Sequence, residues 1–219
     1  MKIATLLIPT LTFCSCVALP DHDKMISFET NHPPLKLGPT VPVALRVPHL
    51  ETIADITTRP PVMIPEGSTN LALGKPVTSS VKPVFGDLAL ITDGDKRSDE
   101  DCFVELGEGR QWIQIDLKKE QKIYAIALWN FHQQIRVYHD VIVQISNDPD
   151  FQKNVTTVFN NDHDNTSGLG SGKDKAYIAS NKGRVFPVTG VSGRYVRFYS
   201  RGNTANSLNH YVEVEIWGT

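Results

Sequence analysis

The chain has 219 residues, of which 40% are hydrophobic and 21% are charged, so it is long enough to bury one sizeable core. Its 22 basic and 24 acidic residues give a formal net charge of −2. This balance provides no strong positive field, which excludes nucleic acid as a partner and excludes binding to an anionic membrane by bulk charge.

The first 18 residues have the pattern of an export signal. Met1 and Lys2 make a short positive start, and an apolar run extends from Ile3 to Phe13. The run is too short to span a bilayer. We therefore predict that residues 1–18 are a signal peptide and that the mature chain is secreted or located in the cell envelope.

The cysteines leave the processing of this signal open. Phe13-Cys14-Ser15-Cys16 is similar to a bacterial lipoprotein signal, which implies lipidation of Cys16 and a place at the outer membrane or periplasm. Ordinary cleavage near Ala18 is the alternative. One acyl chain would anchor the protein to a membrane without spanning it. Cys102 is the only other cysteine, so an internal disulfide in the folded domain is excluded.

The composition changes over residues 19–69. Nine of the 14 prolines lie between Pro20 and Pro65. Because proline fixes φ and lacks a backbone donor, this segment is predicted to be an extended tether. Short apolar pieces at Val41–Leu45 and Ile53–Ile56 interrupt it, so docking of these pieces on the domain, or a partner motif within them, stays open.

Residues 70–219 show the two-residue period of strands. Ile113, Ile115 and Leu117 alternate with Trp112, Gln114 and Asp116, which predicts a strand with one buried face. Similar segments are residues 123–129, 140–146, 194–199 and 211–216. No sustained helical stripe interrupts them, which predicts an all-β antiparallel sandwich. All three tryptophans lie in this stretch, so the fragment Asn70–Thr219 is predicted to fold alone.

Sequence blocks in a fixed order resemble the discoidin family, also called the coagulation factor 5/8 type C family. The blocks are Asn70–Thr78, Ile91–Asp95, Gln111–Leu117, Val143–Asp148, Arg194–Arg197 and Asn209–Gly218. They cover the whole of residues 70–219. The resemblance implies a galactose-binding-like jelly-roll β-sandwich of the bacterial type.

The Asp93-Gly94-Asp95 turn can present hard oxygen ligands, because glycine lets the backbone turn tightly around one centre. The resemblance implies a structural calcium ion, held by Asp93, Asp95, Ser98 and Glu213. Glu213 and Glu215 share one face of their strand, so spacing does not choose between them. The alternative is an Asx turn that only caps backbone donors.

Three polar loops are candidates for ligand binding. The segment Trp129–Arg136 carries aromatic, imidazole and guanidinium groups, which suit sugar recognition, and the resemblance implies His132 and Arg136 as a ligand pair. The segments 159–168 and 201–210 are equally rich in polar groups. The alternative is that these side chains cap strand ends and turns. The predicted ligand-binding set is His132, Arg136, Asp162, His163, Asn203 and His210.

The resemblance implies a non-catalytic carbohydrate-binding module with a glycan or cell-surface polysaccharide as its partner. A protein-docking, adhesion or envelope-scaffolding domain is the alternative, and an apolar patch at the loop end would favour it. Hydrolase activity is not expected, because the concentrated acids Asp162 and Asp164 lie in a single loop instead of facing each other across a cleft.

Overall fold

The computed structural model describes residues 24–36, 38, 45–99 and 101–219. The predicted signal peptide, with Cys16 and Ala18, lies outside the described residues. The described elements, in chain order, are β1 (Met25–Phe28), α1 (Ile53–Thr57), β2 (Val62–Pro65), β3 (Thr69–Asn70), β4 (Val77–Ser79), a 3-10 helix (Leu88–Thr92), β5 (Val104–Leu106), β6 (Gln111–Trp129), β7 (Ile142–Ser146), β8 (Thr156–Asn160), β9 (Arg184–Ser200), β10 (Asn209–Tyr211) and β11 (Glu213–Gly218). Within these ranges, neither helix has the length and apolar character needed to cross a membrane.

The main sheet is antiparallel and has the strand order β3-β11-β6-β9-β7-β8, with β4 also paired to β6. The long strands β6 and β9 pair along most of their length, with register shifts between Asp116 and Gln121 and between Ile123 and Ala125. Such irregularities bend a strand pair and increase its twist. The first half of β6 therefore pairs with β4 and the second half with β11, which gives the two layers of a sandwich.

The core lies between these layers and follows the predicted alternation. Ile113, Ile115 and Leu117 are all buried, and the opposite layer contributes Val214 and Ile216. Because successive strand residues point to opposite faces, the buried face could be assigned from the two-residue period. The predicted all-β jelly-roll sandwich is confirmed.

The proline-rich segment is not an extended tether where the structure describes it, so that prediction is wrong for those residues. β1 pairs with β2 in antiparallel register, and β2 lies against β6, β9 and β11. The ring of Phe28 lies 5.1 Å from that of Trp217, and Ile64 is 3% exposed. Apolar residues between the prolines gain more by covering the sandwich than by remaining in water.

Ion pairs and a short helix fix the same segment. Glu51 pairs with both Arg59 and Arg184, each at 2.7 Å. Thr52 and Asp55 form a capping box at the start of α1, and Lys175 of the sandwich pairs with Asp55. Docking, which the sequence left as an alternative, is what the described residues do.

Candidate functional site

Three loops meet at one end of the sandwich. Ile142, the first residue of β7, pairs with Tyr199 of β9 and with Asn160 of β8. Because these pairs are antiparallel, the start of β7 lies beside the ends of β8 and β9. The connections 130–141, 161–183 and 201–208 therefore converge at this end, which we call the loop end.

Backbone hydrogen bonds hold the loops of the loop end together. The N–H of His139 donates to the carbonyl of Gly202 at 3.0 Å, and the N–H of Arg201 donates to the carbonyl of His139 at 2.9 Å. The N–H of Asn161 donates to the carbonyl of Val141 at 3.1 Å. The three loops are thus a fixed surface, and this fixation lowers the entropic cost of binding a ligand.

A cleft of about 370 Å³ opens at the loop end. The N-terminal segment contributes residues 47–49 to its wall, and the loops contribute residues 138–140 together with Asn161, His163 and Asp164. Polar and apolar groups both line it. We call this space the loop-end cleft.

Imidazoles and carboxylates give the loop-end cleft its chemistry. His139 is exposed, and carboxylate oxygens of Asp140, Asp162 and Asp164 lie within 4.8 Å of one another. Burial raises the pKa of Asp140, whereas the hydrogen bond from Thr166 lowers the pKa of Asp164. The sequence did not lead us to predict His139 and Asp140 as site residues, although two polar residues directly before a buried strand are a recognisable signal.

Asp162 and Asn203 organise their loops and do not present free groups to a ligand, so both assignments are corrected. Asp162 is fully buried, and its carboxylate accepts from the backbone N–H groups of Thr166 and Ser167. Asn203 accepts from two backbone N–H groups and donates to the carbonyl of Leu208. Short polar side chains of this kind stabilise turns by replacing backbone partners.

His132 is also wrongly assigned as a ligand contact. It lies in the connection that follows β6, and its side chain is 4% exposed. Its Nε2 lies 3.0 Å from the carbonyl oxygen of Lys96, and burial lowers its pKa. The His132 ring is thus buried against the Lys96 backbone, and it does not line the loop-end cleft.

Arg136 and His210 lie together behind the cleft, in a buried cluster with Phe131 and Tyr138. The guanidinium of Arg136 stacks over Phe131 at 4.6 Å, and the ring of His210 lies 5.9 Å from Phe131 and 6.1 Å from Tyr138. His210 Nε2 lies 3.0 Å from Glu105 Oε2, yet burial and the charge of Arg136 lower the pKa of His210 to about 4. His210 is therefore neutral at pH 7 and donates to Glu105.

Several polar atoms of this cluster are buried. Arg136 Nε and Nη1, the hydroxyl of Tyr138 and Nδ1 of His210 have no hydrogen-bond partner among the described residues. Arg136 is 8% exposed and His210 is 3% exposed. Neither reaches the open part of the cleft, so their assignment as direct ligand contacts is corrected. Of the predicted set, only His163 lines the loop-end cleft.

We expect Arg136→Ala to lower stability by about 2 kcal/mol, because it removes the stem that packs on Phe131 and the cation–π contact. Arg136→Met keeps the stem and removes a buried charge, so its stability should be close to wild type or higher. The pKa of His210 should rise in the Met variant. Thermal melts and an NMR titration of His210 test this. A wild-type melting curve for Arg136→Ala would contradict this prediction and would indicate that the Arg136 side chain is exposed.

The Asp93-Gly94-Asp95 turn lies against β11. The N–H of Gly94 donates to Glu213 Oε2 at 3.2 Å, and the N–H of Asp95 donates to Asp93 Oδ1 at 2.8 Å. Glu213 is fully buried, and in the described part of the chain nothing hydrogen-bonds to its Oε1. Burial raises the pKa of Glu213 to about 9. A buried carboxylate oxygen beside an Asp-Gly turn fits a cation, with Asp93 and Glu213 as the residues that would hold it.

The remaining predicted metal ligands point elsewhere. Nε and Nη2 of Arg97 donate hydrogen bonds to the carboxylate of Asp95, and these bonds lower the pKa of Asp95 to about 2. The hydroxyl of Ser98 accepts from the N–H of His132 at 3.3 Å. The prediction that the side chains of Asp95 and Ser98 are metal ligands is therefore corrected. Glu215 pairs with Lys96 at 2.6 Å, so Glu213 is the one of the two carboxylates that faces the Asp-Gly turn.

Comparisons with known proteins agree with this architecture. The sequence profile described as "NedA-like, galactose-binding domain", of the F5/F8 type C type, matches residues 90–198. No curated protein matches the chain in sequence.

Solved structures resemble the chain in fold. A family 89 glycoside hydrolase from Clostridium perfringens, in complex with GlcNAc-alpha-1,4-galactose, has a TM-score of 0.51 at 18% identity, covering 68% of this chain and 14% of the hydrolase. A chitosan-binding module of a chitosanase/glucanase from Paenibacillus sp. IK-5 has a TM-score of 0.49 at 22% identity, covering 69% of this chain and 99% of the module.

The matched profile begins just before the Asp-Gly turn and ends in β9, so it includes the long strands β6 and β9, which pair with each other. By this match and by its sandwich, the chain contains a galactose-binding-like domain of the F5/F8 type C, or discoidin, type.

Proposed function

We propose that this protein binds carbohydrate without catalysis and that the sugar occupies the loop-end cleft. The observation that carries the proposal is the cleft itself, in which exposed imidazole and carboxylate groups lie beside the apolar surfaces of Val47 and Pro48. Carboxylates accept from sugar hydroxyls, imidazoles donate or accept, and apolar surfaces pack on the C–H face of a sugar ring. The galactose-binding description of the matched profile supports this ligand class.

The charge of the cleft restricts the class of glycan that it can bind. Asp140 and Asp164 line it, and the buried carboxylate of Asp162 lies within 4.8 Å of theirs, so the cleft would repel the carboxylate of a uronic acid. A neutral hexose avoids this repulsion, and the ammonium of an amino sugar gains an attraction. The proposed ligand is therefore a neutral or amino-sugar glycan.

His139→Ala is expected to weaken glycan binding by about 1–3 kcal/mol, because a sugar hydroxyl would lose its partner. The fold should be unaffected, since the structural hydrogen bonds of His139 come from its backbone. The measurement is a glycan array with the full chain, followed by calorimetry and a thermal melt of each variant.

Phe85→Ala is the matched control, because Phe85 is exposed but lies outside the cleft. It should bind like wild type. Loss of binding in Phe85→Ala together with normal binding in His139→Ala would move the site to the surface around Phe85. Preferential binding of uronic-acid glycans would contradict the proposed ligand class.

Three further properties complete the proposal. Calcium would have a structural role at Asp93 and Glu213, where it would supply positive charge to a buried carboxylate. The chain would be exported to the cell envelope or secreted, which the pattern of residues 1–18 supports. Membrane attachment would occur only through lipidation of Cys16, and mass spectrometry of the mature N-terminus distinguishes it from cleavage near Ala18.

Protein docking is the second candidate function, and one surface favours it. Val84 is 66% exposed and Phe85 is 43% exposed, and the rings of Phe85, Phe103 and Phe131 follow one another at 5.1 Å. An exposed apolar surface of this kind is common at protein interfaces. Glycan binding that depends on His139 and ignores Phe85 would favour the carbohydrate function.

A further inference from the structure

A short stretch of the N-terminal segment forms one wall of the loop-end cleft. This stretch, residues 47–51, is here called the strap. The N–H of Ala176 donates to the carbonyl of His49 at 3.0 Å, and the N–H of Glu51 donates to the carbonyl of Ala176 at 2.8 Å. These bonds form a parallel bridge between Leu50 and Ala176. The strap is thus joined by its backbone to the loop that follows β8.

The side chain of His49 lies directly in the cleft. Its ring stacks on that of His163, with the ring centroids 4.0 Å apart and an angle of 26° between the planes. His49 is exposed and His163 is partly exposed, so a ligand can reach the stacked pair. Nε2 of His163 is buried and lacks a hydrogen-bond partner in the ranges that the structure describes.

The position of His49 is maintained against a backbone cost. His49 has φ of 56°, in the left-handed region that residues other than glycine adopt uncommonly, with asparagine, aspartate and histidine as the most frequent exceptions. Such strain persists only where surrounding contacts enforce it, and it is common at ligand sites. Glu51, two residues later, provides such a contact through its ion pairs with Arg59 and Arg184.

We propose that the strap is part of the glycan site and that His49 is a specificity-determining residue contributed from outside the matched domain. This inference rests on the proposed function. The imidazole of His49, held by the stack on His163, faces the same space as His139 and Asp164 and contacts the sugar on the side opposite the loops. The chain upstream of the sandwich would then select which glycan fits.

Two substitutions remove the imidazole of His49 and are compatible with its positive φ. His49→Gly adopts a positive φ without strain, and His49→Asn tolerates it better than most residues. His32→Ala is the matched control, since it removes an exposed imidazole of the same segment that does not line the cleft. Each full-length variant is titrated with the best glycan found for the wild-type chain, and the array is repeated to compare the order of preferred glycans.

We expect His49→Gly to lose about tenfold in affinity with an unchanged or raised melting temperature, His49→Asn to change the order of preferred glycans, and His32→Ala to match wild type. Wild-type affinity in His49→Gly would overturn the inference and leave the proposed function intact. Lowered melting temperatures in both His49 variants would also overturn it, because the residue would then act through the fold. A wild-type chain that binds no glycan would remove the proposed function, and the inference with it.

Discussion

Glu213→Gln is expected to raise the stability of the calcium-free chain by roughly 3 kcal/mol at pH 7, since a carboxyl with an ordinary pKa of 4.5 costs about that much to protonate at pH 7. Burial holds the folded-state pKa of Glu213 near 9, above its unfolded value. Its contribution to stability is therefore full below pH 4.5 and is lost as the pH rises towards 9. The Gln variant should lack this pH dependence.

The same substitution should abolish any stabilisation by calcium. In the wild-type chain, a hundredfold excess of calcium over its dissociation constant would add about 2.7 kcal/mol, which corresponds to roughly 5–10 °C in melting temperature. Melting curves with calcium and with a chelator measure this. Glu215→Gln is the matched control, because Glu215 pairs with Lys96 and should leave the calcium response unchanged. Identical wild-type melting curves in calcium and in chelator would indicate that the Asp-Gly turn only caps backbone donors and binds no calcium.

Removal of the N-terminal segment should destabilise the sandwich strongly. Burial of a side chain such as Ile64 is worth roughly 1.5–3 kcal/mol, and Arg184 would also lose Glu51 as its ion-pair partner. We expect fragment 70–219 to melt roughly 6–12 °C below fragment 24–219. Independent folding of 70–219, which composition predicts, stays a prediction, and the docked segment should make this fragment less stable than fragment 24–219.

A fragment that starts at residue 45 separates the parts of this segment. It keeps the strap, α1 and β2 but lacks β1 and its contact between Phe28 and Trp217. Its melting temperature should fall between those of the other two fragments. Equal melting temperatures for fragments 70–219 and 24–219 would show that the upstream residues add nothing to the fold.

The candidate site was only partly predictable. His163 was found because a polar loop is visible in sequence, whereas His132 was misassigned because its side chain is buried against the backbone of Lys96. Asp162 and Asn203 have the residue types of sugar ligands, but the same oxygens and amides satisfy turn backbones. Residue type therefore identified the polar loops, and burial decided which side chains remain available.

The sequence by itself determined the all-β sandwich, its buried faces and the Asp-Gly turn. These features follow from local rules, since the two-residue period of a strand and the backbone freedom of glycine act within a few residues. Only the tertiary structure decided that Glu213 faces the turn while Glu215 pairs with Lys96, and that His49 stacks on His163. Both depend on contacts between segments more than 100 residues apart in sequence, and the local pattern of either segment carries no information about such contacts.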